Sequence, residues 1–188
     1  MRVLLTNCSL GRVQRPVFPL GLAYIAAALC DHDVTCFDAA LADDPLASVA
    51  ALVARVRPDV VGISLRNIDT LQSYDVASYW PHFVEMVRHL RACCRDAVLV
   101  AGGAGFSLFA EAVMHALPEL DLGVHLEGDH TFPELLSQME RPEQVRGVYY
   151  RRDGELRFSG PREPVDVNSC LLYTSDAADD LLCVDLGG

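Results

Sequence analysis

The sequence predicts a doubly wound α/β domain with a five-stranded parallel sheet, helices on both faces and a C-terminal β-hairpin extension. Short aliphatic runs alternate with segments of helical patterning through residues 1–145. In most of these runs the apolar residues are consecutive instead of alternating with polar residues, which is typical of strands that are buried on both faces. Regular alternation of strand and helix is the pattern of βαβ units, and these units place parallel strands in one sheet.

The first half of the chain supplies three strands and two helices. The strands are predicted at residues 2–8, 33–39 and 60–66, and the first helix at residues 20–32. The second helix lies in DPLASVAALVARVRP, where Asp44 is the expected N-cap and a proline follows it. Both residue types are favoured at those helix positions.

The second half continues the alternation. A long amphipathic helix is predicted in SYWPHFVEMVRHLRACCR, because Phe83, Val87 and Leu90 recur at helical spacing. The fourth strand runs through AVLVA into the glycine-rich loop GGAGFS, and the helix FAEAVMHAL follows it. LGVHLEGD is predicted as the fifth strand and TFPELLSQM as a short helix that is capped by Thr131.

The last patterned segment, GVYYRRDGELRFSG, predicts a hairpin that turns at Asp153 and Gly154. The pattern therefore divides the chain into an α/β domain at 1–145, a hairpin and linker at 146–169, and a tail at 170–188.

Composition excludes several classes of partner. The chain has 188 residues and a net charge of −11, which disfavours nucleic acid because phosphate binding needs clustered basic residues. No apolar run approaches the roughly 18 residues of a membrane span, and the N-terminus lacks the layout of a signal peptide. The cysteines fit neither a metal clamp nor a disulfide framework. We therefore expect a cytoplasmic protein without a membrane partner.

The loops after the strands carry the candidate binding residues, because ligands of open parallel sheets bind beyond the carboxyl ends of the strands. Glycines there allow a large flat ligand to approach the backbone. The same loops are also compatible with an ordinary glycine turn, an Asx turn and the N-terminus of a helix. The candidates are Ser64, Leu65, Arg66 and Asn67 after the third strand, Gly102, Gly103, Ala104, Gly105 and Phe106 after the fourth, and Glu127, Gly128 and Asp129 after the fifth.

Neither a metal site nor a catalytic residue is predicted in this chain. His125 and His130 have no partner at the spacing of metal ligands. The glycine-rich loop is not a P-loop, because no Gly-Lys-Ser/Thr follows it.

Four motifs taken together resemble one family. PLGLAYIAAAL, VVGISLRNID, GGAGFSLF and EGDHTFPELL occur in this order between residues 2 and 165. In this combination they resemble the cobalamin-binding domain of cobalamin-dependent radical S-adenosylmethionine (SAM) enzymes, many of which are methyltransferases. The fold that this resemblance implies is the flavodoxin-like fold that the alternation of strand and helix also predicts.

The resemblance implies where cobalamin would lie. The cofactor would cross the carboxyl edge of the sheet, with its nucleotide tail between loops that Gly102, Gly103 and Gly105 keep open. Ser64 and Glu127 would supply polar contacts. The first loop lacks the Asp-x-His-x-x-Gly motif through which other cobalamin proteins place a histidine beneath cobalt. Either Arg66 or the first-loop residue Leu10 would occupy that space instead. Gly11, which follows Leu10, is also a candidate binding residue.

The resemblance also implies a second domain that this chain lacks. Radical SAM enzymes hold a [4Fe–4S] cluster through Cys-x3-Cys-x2-Cys, a spacing that is absent here. The cluster and SAM are therefore expected in a further C-terminal domain, which would be a partner in cis. The tail CLLYTSDAADDLLCVDLGG matches the translation of a transposase-based sequencing adapter, so residues 170–188 are predicted to be non-native.

The function predicted for the intact protein is transfer of a methyl group from methylcobalamin to an unactivated carbon, with this fragment binding cobalamin but not catalysing the reaction alone. The alternative is a stand-alone flavodoxin-like carrier for cobalamin, flavin or a nucleotide. A receiver-like signalling domain is disfavoured, because the chain contains no lysine.

Overall fold

The structure is a computed structural model that describes residues 1–8, 18–70 and 77–164. Within these residues, seven strands form a single sheet. The strands are β1 (Arg2–Asn7), β2 (Asp33–Phe37), β3 (Val60–Ser64), β4 (Val98–Gly102), β5 (Leu122–Val124), β6 (Val148–Arg152) and β7 (Glu155–Phe158). They are ordered β2-β1-β3-β4-β5-β6-β7.

The first five strands are parallel, as the sequence predicts. Their order, 2-1-3-4-5, is that of the flavodoxin-like doubly wound fold. Successive residues of β1 point to opposite faces, so Leu4 belongs to one apolar cluster while Val3 and Leu5 belong to the other. Burial on both faces explains why Val3, Leu4 and Leu5 form a consecutive apolar run.

Helices cover both faces of the sheet. They are α1 (Leu20–Ala28), α2 (Pro45–Val56), α3 (Trp80–Cys93), α4 (Ala104–Leu108), α5 (Ala110–Ala116) and α6 (Gly128–Ser137). The buried side chains of α1 and α6 pack into one cluster, and those of α2, α3 and α5 pack into the other. The predicted fold class is therefore confirmed.

The C-terminal hairpin continues the sheet. β6 pairs antiparallel with β5, and β7 pairs antiparallel with β6. Asp153 and Gly154 form the turn with φ angles of 55° and 80°, as a type I′ hairpin requires. The hairpin prediction is confirmed, and the structure adds that the hairpin shares the sheet and core of the α/β domain.

Two predictions about the region after β4 are wrong. The predicted glycine-rich loop is largely helical, since α4 begins at Ala104 and includes Gly105 and Phe106. The predicted fifth strand is also too long, because β5 ends at Val124 and α6 begins at Gly128.

Thr131 is not the N-cap of α6. It lies within that helix, where its buried hydroxyl donates a hydrogen bond of 2.9 Å to the carbonyl oxygen of Glu127. The predicted cap of α2 is confirmed, because the Asp44 carboxylate accepts a hydrogen bond of 3.0 Å from the backbone N–H of Ala47. Both threonine and aspartate bond to nearby backbone groups, so the residue type alone does not fix the position in the helix.

Candidate cofactor-binding site

The carboxyl ends of three neighbouring strands form a level edge. Asn7, Ser64 and Gly102 are the final residues of β1, β3 and β4, and their Cα atoms are paired across the sheet. From β1 the chain continues to β2 at one edge of the sheet, whereas from β3 it continues to β4 in the opposite direction. The switch point therefore lies between β1 and β3. Doubly wound folds bind their ligands at this point.

A cavity of about 200 Å³ opens at this edge, between the sheet and the pair of helices α1 and α6. We call it the glycine slot because five glycines line it. The apolar floor of the slot is formed by the strand residues Leu5, Val100 and Val124, and Phe132 of α6 forms one wall. Among the described residues, the slot lining contains no charged side chain. The glycines are Gly21, Gly62, Gly102, Gly103 and Gly128.

Two glycines of the lining leave open space where a side chain would stand. A Cβ on Gly21 would meet no heavy atom within 4 Å, and a Cβ on Gly102 would come no closer than 3.7 Å to its nearest neighbour. At Gly62 and Gly128 a Cβ would approach Leu5 and Ile25 to 2.8 Å. Because those two side chains also line the slot, any residue larger than glycine at these positions would narrow it.

Gly103 and Gly105 instead allow the loops after β3 and β4 to pack backbone against backbone. Gly103 has a φ of 102°, and a Cβ there would lie 2.7 Å from the carbonyl oxygen of Leu65. A Cβ on Gly105 would lie 3.0 Å from the same oxygen. Backbone hydrogen bonds join the loops, with Leu65 N–H donating to Gly102 and Gly105 N–H donating to Arg66, both at 2.8 Å.

The side chains of Leu65 and Phe106 lie in the core. Both are completely buried, and the Phe106 ring packs edge-on against Tyr149 with a centroid distance of 6.5 Å. Neither side chain lines the slot. These two residues of the predicted set therefore help to hold the loops after β3 and β4 in place through their packing in the core.

Arg66 and Asn67 lie on the loop beyond Ser64, and neither lines the slot. The Arg66 side chain is exposed, whereas Ser64 and Asn67 are half-buried. Burial raises the pKa of the nearby Tyr79 phenol, and the positive charge of Arg66 opposes that rise. Arg66 therefore places a cation on the carboxyl edge without occupying the slot.

The segment between β5 and α6 forms the opposite lip of the slot. Gly128 lines the slot, while Glu127 is exposed beside it. Asp129 is half-buried, and its carboxylate accepts a hydrogen bond of 3.1 Å from the backbone N–H of His130. Ala104 is exposed at the start of α4. Leu10 and Gly11 lie outside the described residues.

Other chemistry at this edge is limited. Burial raises the pKa of the Cys8 thiol to about 11, so the thiol is protonated at neutral pH and is a poor metal ligand. Within residues 1–8, 18–70 and 77–164, no three His, Cys, Asp or Glu side chains come together as a metal site. In the same ranges no helix combines the length and apolarity needed to cross a membrane.

Sequence reasoning missed several residues of the slot, notably Gly21, Gly62 and Leu126. Gly62 carried a usable signal, because a glycine inside a strand often marks close approach of a ligand or another chain segment. Gly21 carried less, since it stands at the start of a helix and its role depends on the space beneath that helix.

These features define a ligand-binding domain of the doubly wound α/β class, with its site at the carboxyl edge of the sheet. Residues 7–136 match the family model of the B12 binding domain, and the chain belongs to that family. Cobalamin is the cofactor that defines this family, so the predicted cofactor is confirmed at the level of the family.

Similar proteins are much longer than this chain. The uncharacterized methyltransferase PH0819 of Pyrococcus horikoshii is 29% identical over 148 residues, which cover 77% of this chain and 30% of that protein. The chain thus spans about a third of the length of the relatives it matches.

Two solved structures of TsrM, a radical SAM methyltransferase from Kitasatospora setae, share the fold. They have TM-scores of 0.75 and 0.76 and 24% sequence identity, and they cover 87% of this chain. This chain covers 31% and 29% of them. One holds tryptophan substrate and a SAM analog, and the other holds cobalamin and a [4Fe–4S] cluster.

Proposed function

We propose that this chain is the cobalamin-binding domain of a larger radical SAM enzyme, which transfers a methyl group from methylcobalamin to an unactivated substrate carbon. The observation that carries the proposal is the apolar glycine slot at the carboxyl edge of a B12-binding domain. The relatives support the rest, because PH0819 is described as a methyltransferase and TsrM as a radical SAM methyltransferase.

The glycine slot fits the nucleotide tail of cobalamin. Its volume is about 200 Å³, and an apolar cavity of about 150 Å³ already accepts a benzene ring. The tail ends in a flat aromatic base, which an apolar slot binds by excluding water. Because the described lining has no charged side chain, the slot suits the base of the tail, and the phosphate of the tail would lie outside the slot.

Residues at the slot entrance would hold the polar parts of the cofactor. Ser64 lies at the end of β3 with its hydroxyl at the edge of the slot, and the exposed Glu127 stands on the opposite lip. We assign Ser64 and Glu127 to contacts with the tail and with the amide groups around the corrin ring. Such a ligand is held by a few well-placed polar groups on an otherwise apolar surface.

Arg66 is our candidate for the space beneath cobalt. Its side chain is exposed on the loop that leaves β3 at the switch point. The first loop contains no histidine that could occupy the space beneath cobalt. A guanidinium stays charged at neutral pH and has no lone pair available for a metal. It would therefore leave the lower face of the metal without a protein ligand.

The second domain would supply the cluster and SAM. This chain lacks the Cys-x3-Cys-x2-Cys spacing that would hold the cluster. The contribution of this chain would be the bound methylcobalamin, which supplies the methyl group. The chain runs back past the site after the hairpin: the Gly147 N–H donates to Gly160, and a Cβ on Gly147 would lie 3.5 Å from Arg162 and from the His125 carbonyl. Gly160 and Arg162 thus lie near His125, which follows the carboxyl end of β5.

We also assign the protein to the cytoplasm and expect no nucleic-acid partner. The five described cysteines are all free, which suits a reducing compartment. The net charge of −11 disfavours binding to phosphate backbones.

Retention of cobalamin is the direct test. The 188-residue chain is mixed with hydroxocobalamin, desalted and examined by absorbance, with circular dichroism to show that it is folded. We expect a retained corrin spectrum at a stoichiometry near one. A folded chain that retains no corrin, or that retains flavin mononucleotide in a parallel sample, would contradict the proposal.

Placing a large side chain at the slot should weaken that binding. Gly21→Phe places a ring where no heavy atom lies within 4 Å of the new Cβ, so the chain should fold normally and lose at least about tenfold in affinity. Ala27→Leu adds bulk to an exposed position of the same helix and should bind like the unaltered chain. Equal affinity of the two variants would show that the ligand does not enter the slot.

A further inference from the structure

Leu126 adopts a backbone conformation that a leucine rarely takes. Its φ angle is 63°, in the left-handed region, where a large side chain crowds its own backbone. Among the described residues, two other non-glycine residues have positive φ, and both have ordinary local reasons. Arg57 ends helix α2 in a left-handed cap, and Asp153 occupies the hairpin turn. Leu126 belongs to neither kind of element.

The surrounding backbone imposes this conformation. The N–H of Leu126 donates a hydrogen bond of 2.8 Å to the Ser107 hydroxyl, which in turn donates to the Gly103 carbonyl at 3.0 Å. On the preceding residue, the His125 N–H donates to Gly147 at 2.9 Å. The chain must therefore bend sharply at Leu126 between β5 and α6, and glycine would make this bend without strain.

Burial within the chain does not account for a leucine at the bend. The side chain is 53% exposed, so it gains only part of the stabilisation that a buried leucine provides. Its inner surface lines the glycine slot, on the same lip as Gly128. The unfavourable backbone and the exposed apolar side chain thus coincide at the mouth of the proposed cofactor site.

We propose that Leu126 is a binding residue of the cobalamin site, an apolar lip that covers the nucleotide tail at the mouth of the slot. The ligand would bury the exposed part of the side chain, which offsets the strain only in the bound state. Strained residues at ligand sites are held by their surroundings in the same way. This inference rests on the proposed function.

Three substitutions separate apolar contact from backbone shape. Leu126→Gly removes the side chain and the strain, Leu126→Asn keeps a side chain that tolerates positive φ but is polar, and Leu126→Met keeps apolar volume. Arg57→Gly is the matched control, because it relieves a φ of 50° at the opposite end of the strands. Each full-length variant is tested for its thermal midpoint without ligand and for its hydroxocobalamin affinity by absorbance titration.

We expect Leu126→Gly and Leu126→Asn to lose about tenfold in affinity, as removal of a well-buried leucine contact implies, while their thermal midpoints do not fall. Leu126→Met and Arg57→Gly should bind within about threefold of the unaltered chain. The proposal is overturned if Leu126→Gly binds normally, if Leu126→Asn binds normally while the glycine variant does not, or if affinity falls together with the thermal midpoint. Failure of the unaltered, folded chain to bind would instead overturn the proposed function, and this inference with it.

Discussion

At the scale of single residues, two adjacent glycines have different physical roles. Gly102 ends β4 and leaves space in the slot, where an added Cβ would make only an ordinary contact at 3.7 Å. Gly103 has a φ of 102°, and its Cβ would lie 2.7 Å from the Leu65 carbonyl oxygen and 2.9 Å from the Ser64 hydroxyl. Gly103 is therefore required by the backbone, whereas Gly102 is not and leaves open space in the slot.

Gly103→Ala should destabilise the chain by at least about 2 kcal/mol, because the new methyl group adds strain at positive φ and collides with the β3 loop. Gly102→Ala should change stability by less than about 1 kcal/mol, since alanine within a strand is only slightly more favourable than glycine. Urea denaturation of both variants measures the difference. Equal stabilities would contradict the roles assigned to the two residues.

The sequence predicted which loops carry the site better than it predicted what each residue does there. Ser64, Gly102, Gly103 and Gly128 were predicted and line the slot. Leu65 and Phe106 were predicted from the same loops but are buried in the core. Loop position follows from strand order, whereas the direction of a side chain depends on how two loops pack together, and a sequence pattern does not contain that information.

At the scale of elements, Arg151 joins the hairpin to the α/β domain. It lies on β6, and its guanidinium donates to the carbonyl oxygens of Leu120 at 3.3 Å, Leu117 at 3.4 Å and Met114. Met114 lies in the last turn of α5 and Leu117 is its C-cap, so these carbonyls have few partners within the helix. Positive charge at a helix C-terminus is also favourable.

Arg151→Met should lower the free energy of unfolding by about 2 kcal/mol, because it retains the apolar stem but leaves those carbonyls without a charged donor. Arg152→Met is the control on the same strand. Arg152 pairs with Glu143 at 3.3 Å, yet its side chain is 55% exposed, and such surface pairs contribute about 1 kcal/mol or less. Similar urea midpoints for the two variants would contradict a structural role for Arg151.

Elements were predicted more accurately than their ends. The five parallel strands and the hairpin each follow from a local pattern, since apolar runs and an Asp-Gly turn are both visible in the sequence. The boundary between β5 and α6 was misplaced because Glu127 and Thr131 both suit a helix N-terminus. The bend at Leu126, which is held by Ser107 and Gly147 from elsewhere in the chain, decides where the helix begins.

At the scale of the whole molecule, the helices that cover the sheet are anchored unequally. Helix α3 buries Phe83, Met86, Val87 and Leu90 against its face. Helix α1, which is also fully described, buries only Leu22, and no side chain caps its N-terminus. The glycine slot lies beneath α1 and α6, so the helix with the fewest buried side chains, α1, is one of the two that cover the candidate site.

This asymmetry predicts where cobalamin stabilises the protein. Without ligand, amides of α1 should exchange with deuterium faster than those of α3, because local opening is easiest where few side chains are buried. Saturating hydroxocobalamin should slow exchange in α1 and at the start of α6 by about tenfold or more, since a ligand that binds only the closed form adds its binding free energy to that opening. Helices α2 and α3 should change little. Cobinamide, which lacks the nucleotide tail, is the matched control and should leave α1 unprotected; equal protection by both ligands would show that the tail does not occupy the slot.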